Sequence, residues 1–381
     1  MIKIVTIIGA RPQIIKAAAL SRAIKNTFSK EIEEIIVHTG QHYDANMSGI
    51  FFDELQIPKP TYNLNVGSDS HAKQTAAMLA GIEEILVKEK PQTIVLYGDT
   101  NSTLAGALAA SKIQIPVVHI EAGLRSFNKT MPEEINRIMC DHVSTFLFSP
   151  TKAGYDNLVK EGFRTDAKAP YNINNPKIYH CGDVMYDNSL HFANVAEQKS
   201  KVLEKYNLQK NNFVLATIHR DNNTDNPERL NALFSALLEI HEKNKIAVIL
   251  PLHPRTKKCV NEFLDKSILE KISASKQFII CEPLPFLDMI VLEKNCSLVI
   301  TDSGGVQKEA FYFEKPCIIL RQETEWVELL TCGAAVLADA DKNKIITAYN
   351  NFTNHKPVYP KLFGDGHAAE FICAELVKHL A

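Results

Sequence analysis

The sequence has no apolar run approaching the ~18 residues of a membrane span, and the apolar stretch at residues 1–9 is too short for a signal peptide and lacks a small-residue cleavage site. It also lacks closely spaced thiols. No two of its eight cysteines are closer than fifteen residues, so no pair has the spacing of a metal knuckle or a redox motif. Several cysteines sit in apolar strand-like segments, which points to reduced core thiols and a cytoplasmic address. There is no charge excess: 42 Lys and Arg against 44 Asp and Glu leave a net charge of −2. That balance excludes a general attraction to nucleic acid or to acidic membranes, so any anion binding must be local. Low-complexity segments and residue-level repeats are absent as well.

What is present is an ordinary globular composition, 45% hydrophobic and 23% charged, over 381 residues. A length prior of about 150 residues per domain suggests two or three domains. Apolar, β-branched runs at residues 3–8, 34–38, 93–97, 117–120 and 145–148 alternate with helical patterns, notably 13–26, 70–88 and a helix opened by Pro132. After a surface excursion over 165–176 the grammar restarts, with strands at 213–218, 246–252, 277–281, 298–300 and 316–320. Strands buried on both faces and joined by crossover helices mean parallel sheets with helices on either side, an α/β fold. The expected division is a first domain over 1–187, a joint over 188–209, a second domain over 210–366, and a C-terminal helix over 367–381 that crosses back onto the first domain.

The most informative stretch is 297–310, where Leu298, Val299 and Ile300 run into Asp302-Ser303-Gly304-Gly305 and then into a helix carrying Glu309. Strand, glycine turn and helix start together make an anion site, because free N–H groups and the helix dipole face outward and glycine lets a phosphate approach. The plainer alternative is that Asp302 or Ser303 only caps the helix. Elsewhere Arg11, Gln41, His42, Asp99 and Glu121 in the first half, and His219, His253, Ser303 and Arg321 in the second, all fall just past predicted strand ends. Ligands bind at that edge of open parallel sheets, and two such edges facing each other make a cleft. Taken singly, Asp99 could be a helix cap, Glu133 and Glu134 could complement a helix dipole, and His219 and His253 could be satisfied core histidines. His42, His71, His119, His241 and His355 read as structural.

As a set, Gly9-Ala-Arg-Pro12 with Lys16, Thr39-Gly-Gln-His42, Gly98-Asp-Thr100, His119-Ile-Glu-Ala-Gly-Leu-Arg125, Pro132-Glu-Glu-Ile-Asn-Arg137, His219-Arg220, Thr301-Asp-Ser-Gly-Gly305 with Glu309, and Phe363-Gly-Asp-Gly366 closely resemble the non-hydrolysing UDP-N-acetylglucosamine 2-epimerase family. The resemblance spans the whole chain in order. It implies two Rossmann-like domains in a glycosyltransferase-B arrangement with the active site in the interdomain cleft, a homodimer, and neither NAD nor metal. It further implies inversion at C2 of a UDP-linked 2-acetamido sugar, by elimination of UDP and re-addition, in the making of surface polysaccharide precursors. By the same resemblance Asp99, Glu121 and Glu133 match the acid/base carboxylates and His219 the active-site histidine. Ser303, Gly304 and Gly305 meet the leaving UDP together with Arg11, His253 and Arg321. Lys16 and Glu309 complete nucleotide binding, and Phe286 covers the uracil.

Two of these motifs depart from the common pattern. Ala10 and Gln13 replace the usual Thr and Glu, and Asp221-Asn222-Asn223 follows His219-Arg220 where Arg-Glu-Asn is usual. In the family that second arginine is associated with activation by a UDP-sugar. The sequence is more like the branch that epimerises UDP-2,3-diacetamido-2,3-dideoxy-glucuronate, and it leaves the C3 and C6 substituents open. A hydrolysing epimerase, a glycosyltransferase of the same fold and a silent UDP-sugar-binding protein are the competing classes. The clustered carboxylates argue against the last, since binding a dianion does not call for extra acids.

Overall fold

The computed structural model describes residues 1–40 and 57–381. Gln41 and His42 of the Thr39–His42 motif therefore lie outside the described residues. The described chain divides into two compact units, 1–188 with 361–381, and 189–360.

In the first unit seven parallel strands stand in the order β3-β2-β1-β4-β5-β6-β7, among the described residues. They are β1 Ile2–Ile8, β2 Ile32–His38, β3 Tyr62–Asn63, β4 Thr93–Tyr97, β5 Val117–Ile120, β6 Phe146–Ser149 and β7 Lys177–His180. β4 and β5 are buried along their whole length, as strands covered on both faces must be. In the second unit six parallel strands follow the order β10-β9-β8-β11-β12-β13. These are β8 Phe213–Thr217, β9 Ala247–Pro251, β10 Phe278–Cys281, β11 Leu298–Thr301, β12 Cys317–Ile319 and β13 Ala335–Leu337. Each sheet thus starts at its centre, grows one way, and then reverses past its first strand. The reversals fall between β1 and β4 and between β8 and β11, and at such switch points the two outgoing loops part and leave a crevice.

β3, β7 and β13 are the strands that periodicity alone does not reveal. They have two to four residues and lie at sheet edges, where fewer positions need be apolar. The joint expected over 188–209 is mostly helical, since Val184–Lys199 is one continuous helix and Val202–Lys205 a short second one. The chain also rejoins the first unit at residue 361 rather than 367. The reason is local: Asp183 N donates to Phe363 O at 3.0 Å, and Gly182, at φ +87°, packs against the backbone of Phe363 and Gly364. The last helix, Ala368–Leu380, is held there by Asp187, whose carboxylate accepts from Ala368 N at 3.2 Å and Ala369 N at 2.8 Å. Tyr179 adds a hydroxyl bond to Glu375 at 2.8 Å.

Burial raises the Asp187 carboxyl from 3.8 to about 6; the two helix N–H groups oppose that shift, and Glu370 and Asp183 add to it. The folded chain therefore holds this proton more tightly than the unfolded chain. The contribution is fully present below about pH 4 and is lost as pH rises through about 6. Asp187→Asn should remove that dependence, so thermal melts of the variant should gain on the wild type between pH 4 and 7 by on the order of 2 kcal/mol. Parallel curves for the two proteins would show that Asp187 does not titrate in this window.

Candidate active site

In the first unit the turn after β1 is braced from beneath by Gln13. Its Oε1 accepts from Gly9 N at 2.9 Å and Ala10 N at 3.1 Å, while its Nε2 donates to Tyr97 O and Thr103 Oγ1, both at 3.0 Å. An amide can accept on one side and donate on the other, so this buried residue ties the β1 turn to the end of β4 across the switch point. Arg11 opens the helix Arg11–Ala23 and is exposed, and Lys16, farther along it, forms an ion pair with Glu121.

Glu121 follows β5 with φ +79°, in the left-handed region that a non-glycine residue adopts at a cost of about 1–3 kcal/mol. Its own N–H and that of Ala122 both donate to Phe148 O, at 3.0 and 3.1 Å, and hold the bend. Gly98, at φ +64°, lies against both partners of the pair: a Cβ there would come within 3.2 Å of Lys16 Nζ and 3.4 Å of Glu121 Oε2. Asp99 is half-buried and paired with Arg137, whose guanidinium also pairs with Glu134. Glu133 stands exposed in the first turn of the helix Pro132–Val143, whereas Glu134 is buried and accepts from Ser126 N and Phe127 N, both at 3.0 Å. Asp99 and Glu121 are thus each met by a cation, and Glu133 stands in open solvent.

Beneath these loops lies a network that sequence reasoning passed over. His119 is fully buried, with Nδ1 2.6 Å from Asp141 and Nε2 2.8 Å from Gly98 O. Oxygen acceptors on both sides require a proton on both nitrogens. Burial disfavours the charged ring, but Cys140 and Asp141 outweigh it and raise the imidazole well above its usual range. Asp141 in turn is pushed up by burial and pulled below its ordinary value by His119 and Arg125. Its carboxylate also accepts from Gly123 N at 3.1 Å and faces Arg125 at 2.7 Å. Asn136 donates to Asp99 O at 3.0 Å. The loops after β4 and β5 therefore hang on one buried, charge-balanced set.

The second unit repeats the design around Asp302, which is fully buried at the end of β11. Its carboxylate accepts from His219 N at 3.0 and 3.1 Å, Arg220 N at 3.0 Å and Asn223 Nδ2 at 3.1 Å, and lies 3.0 Å from His219 Nδ1. Burial raises the carboxyl, and His219 with the other donors brings it below its ordinary value. Ser303, not Asp302, caps the helix Gly304–Tyr312, through Oγ to Val306 N at 3.5 Å.

His219 borders two cavities. One, of about 410 Å³, is lined by Ile218, His253, Arg255, Pro283, Leu284 and Met289 among others. The other, of about 640 Å³, lies among Arg220, Asn222, Arg321 and Gln322. His253 is the cap of the helix Pro254–Phe263, its Nδ1 accepting from Arg255 N at 3.4 Å. Arg321 is largely buried and paired with Glu325 at 2.9 Å. A Cβ on Gly304 would strike the Glu325 carboxylate, so packing already demands glycine there. A Cβ on Gly305 would find its nearest neighbour 3.9 Å away, so nothing within the protein requires that glycine. Glu309 stands beside Glu293, which is buried; burial first and Glu309 second push the Glu293 carboxyl well up. Phe286 departs from its expected place. Its ring is buried against Phe192, centroids 5.3 Å apart, and Leu284 and Met289 line the cavity instead, because the first turn of the helix Phe286–Asn295 turns this residue into the core.

Two α/β units, each a parallel sheet with one switch point and charged groups gathered at its carboxyl edge, define an enzyme of the two-domain nucleotide-binding class. The model of the UDP-N-acetylglucosamine 2-epimerase family matches residues 24–377. A UDP-2,3-diacetamido-2,3-dideoxy-D-glucuronate 2-epimerase from Pseudomonas aeruginosa is 48% identical over 377 residues, 99% of each chain. A UDP-N-acetylglucosamine 2-epimerase homolog from Methanococcus maripaludis is 47% identical over 379 residues, 99% of this chain and 100% of the other. The crystal structure of the Methanocaldococcus jannaschii UDP-GlcNAc 2-epimerase in complex with UDP-GlcNAc and UDP shares 43% identity over 99% of both chains, with a TM-score of 0.83. This chain belongs to the UDP-N-acetylglucosamine 2-epimerase family, whose members are isomerases.

The hub role of Asp302 is open to test. Asp302→Ala leaves three inward-facing donors without an acceptor and should lower the stability of the second unit by about 2–3 kcal/mol in urea denaturation. Unchanged stability would mean that the His219 loop is held by other contacts.

Proposed function

We propose that this chain is a non-hydrolysing 2-epimerase that interconverts the gluco and manno forms of a UDP-linked 2-acetamido sugar, as a step toward surface polysaccharide precursors. The observation that carries the reading is that the two units present carboxyl edges of different chemistry. The first unit presents Asp99, Glu121 and Glu133 with Lys16 and Arg137 among them; the second presents a helix N-terminus at Ser303–Gly305 with His219 and Arg321.

The chemistry needs both. A carboxylate within ~3 Å takes the C2 proton while the C1–O bond breaks, UDP leaves with the electron pair, and C1 and C2 become doubly bonded. UDP then adds back to C1 as an acid delivers a proton to the other face of C2. Asp99, Glu121 and Glu133 carry these transfers, with Arg137 beside Asp99 and Lys16 beside Glu121. Backbone N–H groups at Ser303–Gly305, with Arg11, His219 and Arg321, meet the charge on the departing diphosphate. The open space at Gly305 supports this role, since it is what an approaching phosphate needs. Glu309 and Lys16 complete the nucleotide site, and His253, Leu284 and Met289 line the cavity suited to the base.

The same reading places the enzyme in the cytoplasm as a homodimer. All eight cysteines are free, as a reducing compartment leaves them, and no helix among the described residues is long and apolar enough to cross a membrane. Phe127, Ile135 and Met139 are exposed on or beside one helix, an apolar face that a second copy would cover. Light scattering should give twice the chain mass, and Ile135→Lys should halve it. A monomeric wild type would end the dimer reading.

Asp99→Asn and Glu133→Gln should each lower turnover by ~10²-fold or more with UDP binding nearly unchanged. The reading itself is tested by proton NMR in D₂O, offering UDP-GlcNAc and UDP-2,3-diacetamido-2,3-dideoxy-glucuronate in turn without added cofactor. A manno-configured UDP-sugar carrying deuterium at C2 is expected from one of them, and the active compound identifies the C3 and C6 substituents. Free sugar plus UDP would replace this reading with a hydrolysing enzyme, and inertness toward both would overturn it.

A further inference from the structure

The second unit holds a cavity of about 610 Å³ that the reaction above does not use. Asn211, Ile246, Ser297 and Pro316, which border it, all precede strands of the sheet, so it lies at the amino edge. The His219 cavities lie at the carboxyl edge, and strands of four or five residues separate the two edges by on the order of 15 Å. The volume falls within the ~300–1,000 Å³ of small-molecule sites.

Its walls are apolar and its polar groups converge. Leu298, Tyr349 and Ile246 are buried, and Phe352, Pro316 and Pro357 continue the surface. Lys315 donates to Asn211 Oδ1 at 2.9 Å. Burial lowers its ammonium first, Lys356 lowers it further, and Cys296 and Glu314 oppose the shift, so the two lysines are close enough to feel each other's charge. Two ammonium groups against the single carboxylate of Glu314 leave one net positive charge.

We propose that this cavity is a second ligand site, taking a small organic monoanion with a flat apolar body, of the aryl carboxylate class. Its carboxylate meets Lys315 and Lys356, and its ring lies among Leu298, Tyr349 and Phe352. The wall formed by Lys356–Tyr359 is the last stretch of chain before residue 361, where the chain rejoins the first unit, so the ligand ties that stretch to the sheet edge.

Saturation-transfer NMR with benzoate and the full chain tests the site. Saturable binding with a Kd of about 1 mM or tighter is expected, unchanged by saturating UDP and weakened at least about tenfold by Lys315→Met with Lys356→Met. Lys356 is exposed, so Lys356→Met alone keeps the fold, checked by an unchanged thermal melt, and should weaken binding too. No saturable signal, displacement of benzoate by UDP, or full binding by the folded lysine variants would each overturn the proposal.

Discussion

Asp141 and Asp302 are both fully buried carboxylates, and much of this molecule's active architecture follows from what it takes to keep them there. An unpaired carboxylate in a protein interior is too costly to persist, so each must be surrounded by donors and positive charge. Asp141 draws in His119, Arg125 and the Gly123 amide; Asp302 draws in His219, Arg220 and Asn223. Most of these donors sit just past the carboxyl ends of β5 and β8, with His119 in β5 itself and Asn223 in the short helix Asp221–Thr224. Neutralising the buried charge and shaping the reactive edge are one event.

The exposed carboxylates are arranged by the same logic one layer farther out. Lys16 meets Glu121, and Arg137 bridges Asp99 and Glu134. The cations thereby fix where these carboxylates stand at the edge of the sheet. The positive φ of Glu121 fits this picture, since backbone strain is kept where the surrounding contacts over-determine it and a side chain must be aimed.

The departures from the family's usual residues have physical readings in the structure. Gln13 uses both ends of its amide, which a carboxylate could not do toward the Tyr97 carbonyl. Asp221 pairs with Arg255, and Asn223 joins Asp302 to Leu320 O at 3.0 Å. At position 221, where the resemblance implies an arginine, this chain carries the opposite charge, engaged with Arg255.

The strand runs, the glycine turn at 302–305 and the polar residues just past strand ends were legible in the sequence, because hydrophobic periodicity and turn chemistry are local. The short edge strands were not, since an edge needs little hydrophobicity to pair. His119 reads as merely structural, and Asp141 and Asp302 give no sign of being hubs, for a related reason: their partners lie 16 to 83 residues away in the chain. Phe286 shows the converse, a residue expected on a loop that opens a helix instead, with its ring direction decided by packing against Phe192. The sequence by itself determined which segments become strands and which turns can face an anion, because those depend on neighbours a few residues off. Which carboxylate meets which cation was decided only when β4 came to lie beside β1 and β11 beside β8, because strand order is a property of the folded sheet and of no single segment.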